Sequence, residues 1–588
     1  MTYSFTEETP PARAPAPRAL IILLGLLFTI PAFAWGIFSL VQPTIQTMQL
    51  SVQNYNPLRA SGPAQDVGLA NFNSVFADPS FGNAARFTLL LIAGKLLAVS
   101  LVPPLIGWAL ARFGRGTHIA IRLLFCLPLA LFAPLITYIA WSLIFNPSLM
   151  LMRQITQPSP LVSPTNAPIA LLLIDMLMTF GIALALGVIA YVTAFRPVRE
   201  GEARHGGWKG FVVLWLIGAA LAIGTTLQSL DPSFTLTAGG PGNSTATLPL
   251  QYYRTLFQNL RFGPAAVYSI VSLIILGILG LLVGGAVLFT NAALLDLKPQ
   301  KPPRTGRALP FIVLLLALFV MIAVLFAIFA PLQFASINGN SRPQGLLGDR
   351  PLDASLIGIA GPVLAGVLLQ LPIIYLAALG IGALRPLGCA SEALLLLFSP
   401  FLFVTIFPLS ASWYIKTREL GILNSPQALA LSSGLLNVGM LFILTLFFKG
   451  QTLRQPSGSG FGGFIRWVIV PSLSLVLLLA CVGVGIGLQD AYWPLIVTTE
   501  RNTFTWTNVL RSSLGQFSTE VGPLGALLTQ YTIRFFLLYL IPLVLFILFY
   551  LDRLVLGSRR DLREALATPI IQEPEVYVPP ANLRYTER

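Results

Sequence analysis

The stretch Leu230-Asp-Pro-Ser-Phe-Thr-Leu-Thr-Ala-Gly-Gly-Pro-Gly-Asn-Ser-Thr-Ala-Thr-Leu248 interrupts an otherwise apolar chain and sets the frame for the rest. Gly239-Gly240-Pro241-Gly242 cannot continue a helix or sit within a strand, because glycine is conformationally loose and proline lacks an N–H donor. It is a turn between apolar segments that runs through Tyr252, Tyr253, Phe262 and Gly263 into a further apolar helix from Val267.

The 588 residues are 55% hydrophobic and 10% charged, too apolar for a soluble globule. They fit an all-α polytopic membrane protein. The net charge of +14 lies in short loops between apolar runs, a pattern of membrane topology rather than of nucleic-acid binding. Three cysteines in or beside apolar segments indicate no disulfide framework, and two loop histidines form no metal site.

Runs long enough to cross about 30 Å of hydrocarbon number about twelve. Six lie near Ala19–Val41, Phe87–Leu110, Leu123–Phe145, Ala167–Ala194, Phe211–Leu227 and Val267–Thr290. Six more lie near Leu309–Phe329, Ser355–Leu384, Ala393–Trp413, Ala428–Phe448, Val468–Gly487 and Ile533–Leu551. The chain therefore divides into a tail (1–18), a first transmembrane half (19–295), a basic, Pro-rich linker (296–308), a second half (309–556) and a second tail (557–588). An inside N-terminus places about 23 Lys and Arg in cytoplasmic segments and about 11 outside, with Lys95 and Arg534 in spans. Both termini are then cytoplasmic, the halves are parallel repeats, and the chain from Asp552 onward is expected to be an unstructured extension.

No Gly-x-x-x-x-Gly-Lys-Ser/Thr cradle is present and no catalytic constellation converges, so neither an enzyme nor an ATPase is expected. Asp175 lies inside a span, where a carboxylate is expected to face the bundle interior. Gln228, Asp231, Gln489, Asp490, Tyr492 and Trp493 lie where helices enter the outer loops. Their mix of aromatic faces and hydrogen-bonding groups suits a sugar, against the alternative of interfacial belt aromatics for Tyr492 and Trp493.

The segment Asp66-Val-Gly-Leu-Ala-Asn71-Phe72, with Phe76-Ala-Asp-Pro-Ser-Phe81, and the run Leu236-Thr-Ala-Gly-Gly-Pro241 with Ser244 to Leu248, resemble the F subunit of maltose-type carbohydrate ABC importer permeases. Glu419-Leu-Gly-Ile-Leu-Asn424-Ser425 and Asp490-Ala-Tyr-Trp493-Pro-Leu-Ile496 resemble the partner G subunit. The resemblance implies two six-helix halves of the type I importer permease fold fused in one chain of a bacterial cytoplasmic membrane. It also implies a solute path between them, and no cofactor beyond ATP used by partners. Those partners would be two ATP-binding cassette subunits and an extracytoplasmic sugar-binding protein that docks on Thr237, Gly239, Gly240, Pro241 and Thr245; no nucleic acid is implied.

In that family a Glu-Ala-Ala loop in each half couples to the ATPase. The first-half counterpart keeps Glu202, Ala203, Gly207, Trp208 and Phe211 but lacks the Asp-Gly pair. The second, with Arg454, Gly460, Phe464 and Arg466, has no acidic residue, and its glycines would cost a helix about 1 kcal/mol each. These departures support an alternative: a permease-derived, non-transporting subunit of a larger membrane complex.

Overall fold

The computed structural model describes residues 18–56, 65–131, 133–145, 159–195, 208–297, 307–337, 352–456, 459–515 and 521–567. Among them nine helices are long and apolar enough to cross a membrane, or eleven if each of two bent pairs is one span.

The first half holds α1 (Arg18–Gly36), a two-residue antiparallel pair of β1 (Gln53–Asn54) with β2 (Gln65–Asp66), then α2 (Pro79–Leu110) and α3 (Arg115–Phe125), which with the short helix Leu127–Leu131 forms a bent pair with α4 (Pro134–Ile144). There follow α5 (Asn166–Leu186), α6 (Trp208–Gln228), the short α7 (Ser233–Thr237) and α8 (Leu248–Tyr253), α9 (Phe262–Thr290) and β3 (Ala292–Asp296). The second half holds α10 (Ala308–Ile337), α11 (Leu352–Leu379), α12 (Leu394–Phe398), α13 (Ser410–Glu419), and the bent pair α14 (Pro426–Gly434) and α15 (Val438–Gln451). It closes with α16 (Val470–Leu488), α17 (Trp493–Val497), α18 (Trp506–Gly515), α19 (Val521–Phe549), β4 (Leu554–Ser558) and α20 (Arg559–Ala567).

Local chemistry sets several boundaries. Asp78 starts α2 by accepting from the Ser80 amide at 2.8 Å, with Pro79 at the first helical position. Leu89, Leu97, Leu101 and Leu105 recur at multiples of four residues on α2 and are all more than half exposed, so this face looks toward lipid. The opposite face packs closely through small residues: a Cβ on Gly107 would meet Tyr191, and one on Gly187 would meet Ile106 at 2.9 Å.

The span expected from Ala393 to Trp413 is not one helix. It runs α12, a 3-10 turn at Ser399–Phe401, irregular chain through Ile406 and a second 3-10 turn at Phe407–Leu409 before α13. Pro400 and Pro408 each remove a helical donor, and each sits in the first positions of a 3-10 turn, so two such sites within nine residues break the helix rather than bend it. Backbone of this kind is tolerated at membrane depth only where protein or a wet cavity satisfies it. Here Gln228 of the first half does so, donating to the Phe403 carbonyl at 2.8 Å and accepting from the Thr405 amide and hydroxyl, each at 2.8 Å.

The two runs of helices interlock. α1 packs on α11 of the second half, while α10 packs on α2, α4 and α5 of the first. The last helices repeat the exchange: α9 lies against α12 and the Ser399 turn, and α19 against α3 and α4. β3 and β4 then pair antiparallel, from Ala292 opposite Ser558 to Asp296 opposite Leu554. β3 packs on α15 of the second half, and β4 on α6 of the first. The chain after Asp552 is therefore ordered as far as Ala567, contrary to the expectation of an unstructured extension. Five residues do not announce a strand whose partner lies more than 250 positions away.

Close backbone approach holds these contacts. A Cβ on Gly280 would overlap the Ser399 carbonyl oxygen, and one on Gly450 that of Leu294. Gly280→Val is expected to cost about 1–3 kcal/mol through overpacking between the halves, read as a lowered thermal unfolding midpoint in detergent. Gly285, with open space around it, is the control position.

Candidate functional site

At the end of the bundle where α6 meets Leu230, the residues singled out from the sequence fall into two groups. Asp175, Asp231 and Asp490 join one line of charges. The Asp175 carboxylate is buried in α5, accepts from the Tyr138 hydroxyl at 3.0 Å and lies 3.2 Å from Lys95 Nζ. Asp231 acts electrostatically on Tyr138 and is held by Arg511, whose Nη2 donates to Oδ2 at 3.0 Å; Thr235 donates to Oδ1. Arg511 in turn acts on Asp490 and Tyr253, and its guanidinium lies 4.8 Å from the centre of the Phe234 ring. Lys95, Tyr138, Asp175 and Asp231 belong to the first half, Arg511 and Asp490 to the second, so the line crosses between them.

Arg511 was not expected. Its signal in the sequence is an arginine one residue after the apolar Val509-Leu510 on a short helix between two spans, where a basic residue reads more readily as surface charge.

Asp490 accepts from the Tyr492 and Trp493 amides at 3.0 and 3.1 Å and so starts α17. Burial raises its pKa above the ordinary 3.8, while those amides, the Ser432 hydroxyl and the Arg511 charge pull it back. The folded state then holds a proton above pH 3.8 that the unfolded state has lost. Stability falls as pH rises through that window. Asp490→Asn keeps an acceptor for both amides, so the expected change at neutral pH is within about 1 kcal/mol. It should flatten this part of the pH profile, followed by thermal unfolding of both proteins.

The other expected residues are committed to protein. Gln228 spends both side-chain ends on Gly224 and the broken helix. Gln489 hydrogen-bonds the Tyr539 side chain. Tyr492 lies in a ladder: its hydroxyl is 2.6 Å from Ser410 Oγ, which is 2.8 Å from the Tyr252 hydroxyl of the first half. Trp493 is fully buried and donates from Nε1 to the Ala428 carbonyl at 2.6 Å. Its ring is neither a belt aromatic nor a free face for a sugar, a distinction set by tertiary packing alone.

The loop around Gly240 is latched upon itself. Thr245, fully buried, donates to the Gly240 carbonyl at 2.7 Å and lies 2.6 Å from the Thr237 hydroxyl. Arg254 ties Asn243 at 3.0 Å and the Ala238 carbonyl. Gly239 adopts φ +82° against Leu250 and Arg254, a position no other residue fits. Gly240 and Pro241 are half-buried, so the exposed tip is Ala238, Gly242 and Asn243. Thr245→Val is expected to cost about 1–2 kcal/mol locally, because two half-buried partners lose their bonds to a buried hydroxyl, and to speed proteolysis at the tip.

No family profile matches the chain. It is 27% identical over 290 residues to a probable ABC transporter permease protein, y4oQ, of Sinorhizobium fredii, covering 46% of this chain and 91% of that protein. It is 24% identical over 280 residues to the sn-glycerol-3-phosphate transport system permease protein UgpA of Agrobacterium fabrum, covering 44% and 89%. This chain is similar to ABC transporter permeases. A further relative, the multiple sugar-binding transport system permease protein MsmF of Streptococcus mutans, is 24% identical over 233 residues, covering 37% of this chain and 79% of its own length.

The regions that resemble permease coupling loops lie at the opposite, β3–β4 end. Glu202, Ala203 and Gly207 fall outside the described residues. Trp208 opens α6 and is 63% exposed, while Phe211 packs against Tyr191 and Phe195. In the second half, Arg454 donates to the Asp296 carbonyl at 2.5 Å and lies 5.2 Å from the centre of the Trp467 ring. Gly460, at φ +60°, begins a single turn through half-buried Phe464 that continues by a π turn, Ile465–Ile469, into α16. Arg466 is exposed, 5.8 Å from the centre of the same Trp467 ring. Among the described residues here, the expected penalty for glycine goes with a helical segment of one turn that is not separate from the span.

Proposed function

We propose that this chain is the transmembrane permease of an ABC-type carbohydrate importer, with both permease subunits fused and the solute crossing between the halves. One observation carries the reading: relatives named as permeases are matched over about nine-tenths of their length by under half of this chain, whose two runs of spans pack reciprocally. A parallel repeat about an axis along the membrane normal has this exchange. The names of MsmF and UgpA, a multiple sugar-binding system and an sn-glycerol-3-phosphate system, support a sugar or a glycerol derivative as the solute class.

With no nucleotide cradle in the sequence, ATP would be used by two separate cassette subunits at the β3–β4 end, with both termini in the cytoplasm of a bacterium. A solute-binding protein would dock at the tip formed by Ala238, Gly242 and Asn243. Reconstitution with the cassette subunit encoded beside it should give ATP-dependent uptake of a sugar or polyol into proteoliposomes. Absence of uptake, with non-ATPase partners retained at fixed stoichiometry, would favour the structural-subunit reading that the second loop's lack of acidic residues suggests.

A further inference from the structure

We propose that Arg511 and Asp231 form a solute clamp, a guanidinium and a carboxylate held 3.0 Å apart between the halves, that takes neighbouring hydroxyls of a neutral polyol. The proposal rests on the permease reading and names the substrate chemistry of that path.

The Arg511 side chain is 6% exposed, yet its Nε and Nη1 have no hydrogen-bond partner among the described residues. Buried donors in folded proteins are almost always satisfied, so an unsatisfied pair on a buried cation requires an explanation. Two further buried orphans lie close by in the chain: Ser233 Oγ, at the start of α7 two residues after Asp231, and Asn508 Oδ1, one turn before Arg511 on α18. The unpaired groups thus include donors and acceptors, contributed by facing segments of both halves.

A sugar fits this mixture. Each hydroxyl donates once and accepts twice, so guanidinium N–H groups donate to its lone pairs while a carboxylate accepts the hydrogen bond from its O–H. Phe234, whose ring lies under the guanidinium and against Tyr253, gives the clamp an apolar wall. A phosphate ester fits less well. The Arg511 charge is already paired with Asp231 and also faces Asp490, so a dianion would meet two carboxylates around one cation.

The test is titration calorimetry of the full chain in nanodiscs with glycerol, glucose and maltose, set against glycerol 3-phosphate. Saturable binding of a neutral polyol is expected, weakened roughly tenfold by R511Q and by D231N. Phe234→Leu, which leaves the ion pair intact, should weaken binding less and guards against misfolding of the charge variants; each variant is checked by its thermal midpoint. Tighter binding of the phosphate ester, unchanged affinity in a folded R511Q, or no binding of any neutral polyol overturns the clamp. ATP-driven uptake that is indifferent to R511Q retires the clamp and leaves the permease reading standing. Loss of uptake already in the wild type retires the reading instead.

Discussion

Replacing Asp552 with alanine is expected to cost about 3–5 kcal/mol, because it strands a buried cation. Asp552 follows α19 at the β3–β4 end, with its side chain 2% exposed. Arg122 of α3, wholly buried, approaches it to 2.5 Å and spends its Nε on the Val188 carbonyl at 2.8 Å. His118 Nδ1 lies 3.6 Å away while its Nε2 bonds the Leu110 carbonyl; Arg115, 61% exposed, lies at 3.7 Å and adds little after solvent screening. Removing the carboxylate leaves the wholly buried Arg122 charge without its acidic partner. The double variant Arg122→Met/Asp552→Leu should recover most of the loss, since an apolar pair of similar bulk needs no compensation. Thermal unfolding in detergent reads both. A single variant as stable as the wild type would mean that the last helix of one half is not held to the other by this pair.

Asp175→Ala is expected to have a comparable effect from within a span. Lys95, on a helix whose other face meets lipid, has a side chain 13% exposed, and Asp175 lies 3.2 Å from its ammonium. Without the carboxylate the ammonium must be desolvated alone, deprotonate or draw in water, at about 3–5 kcal/mol. Tyr138 also loses its acceptor. Asp175→Asn retains an acceptor for Tyr138, so its cost should come mainly from the unpaired lysine, and Lys95→Met placed on either background should restore stability. Solubility in mild detergent and the thermal midpoint of the four proteins check this. If Asp175→Ala proves harmless alone, the pair is incidental to folding.

The sequence made some of this legible and hid the rest for physical reasons. Hydropathy finds a span wherever apolar residues persist for twenty positions, so most helices lie where expected. The same averaging passes over the break between Leu402 and Ile406, whose residues are as apolar as a helix and whose cause is two prolines acting in concert. Gly239 and Pro241 announce the outer turn because glycine and proline act locally. The burial of Thr245 and Trp493 depends on neighbours far along the chain and leaves no local mark. β3 and β4 pair across the whole second half, and Arg511 finds Asp231 280 positions away. Asp175, Asp231 and Asp490 could be chosen because a carboxylate in apolar surroundings is costly. The cations that make them tolerable could not, since arginine and lysine in a membrane protein are first read as topology signals.

The claim that one chain supplies both permease halves is tested most directly by native mass spectrometry of the complex purified with its cassette ATPase and active in uptake. The account predicts one copy of this chain with two ATP-binding subunits. Two copies of the chain in the transporting complex would contradict it.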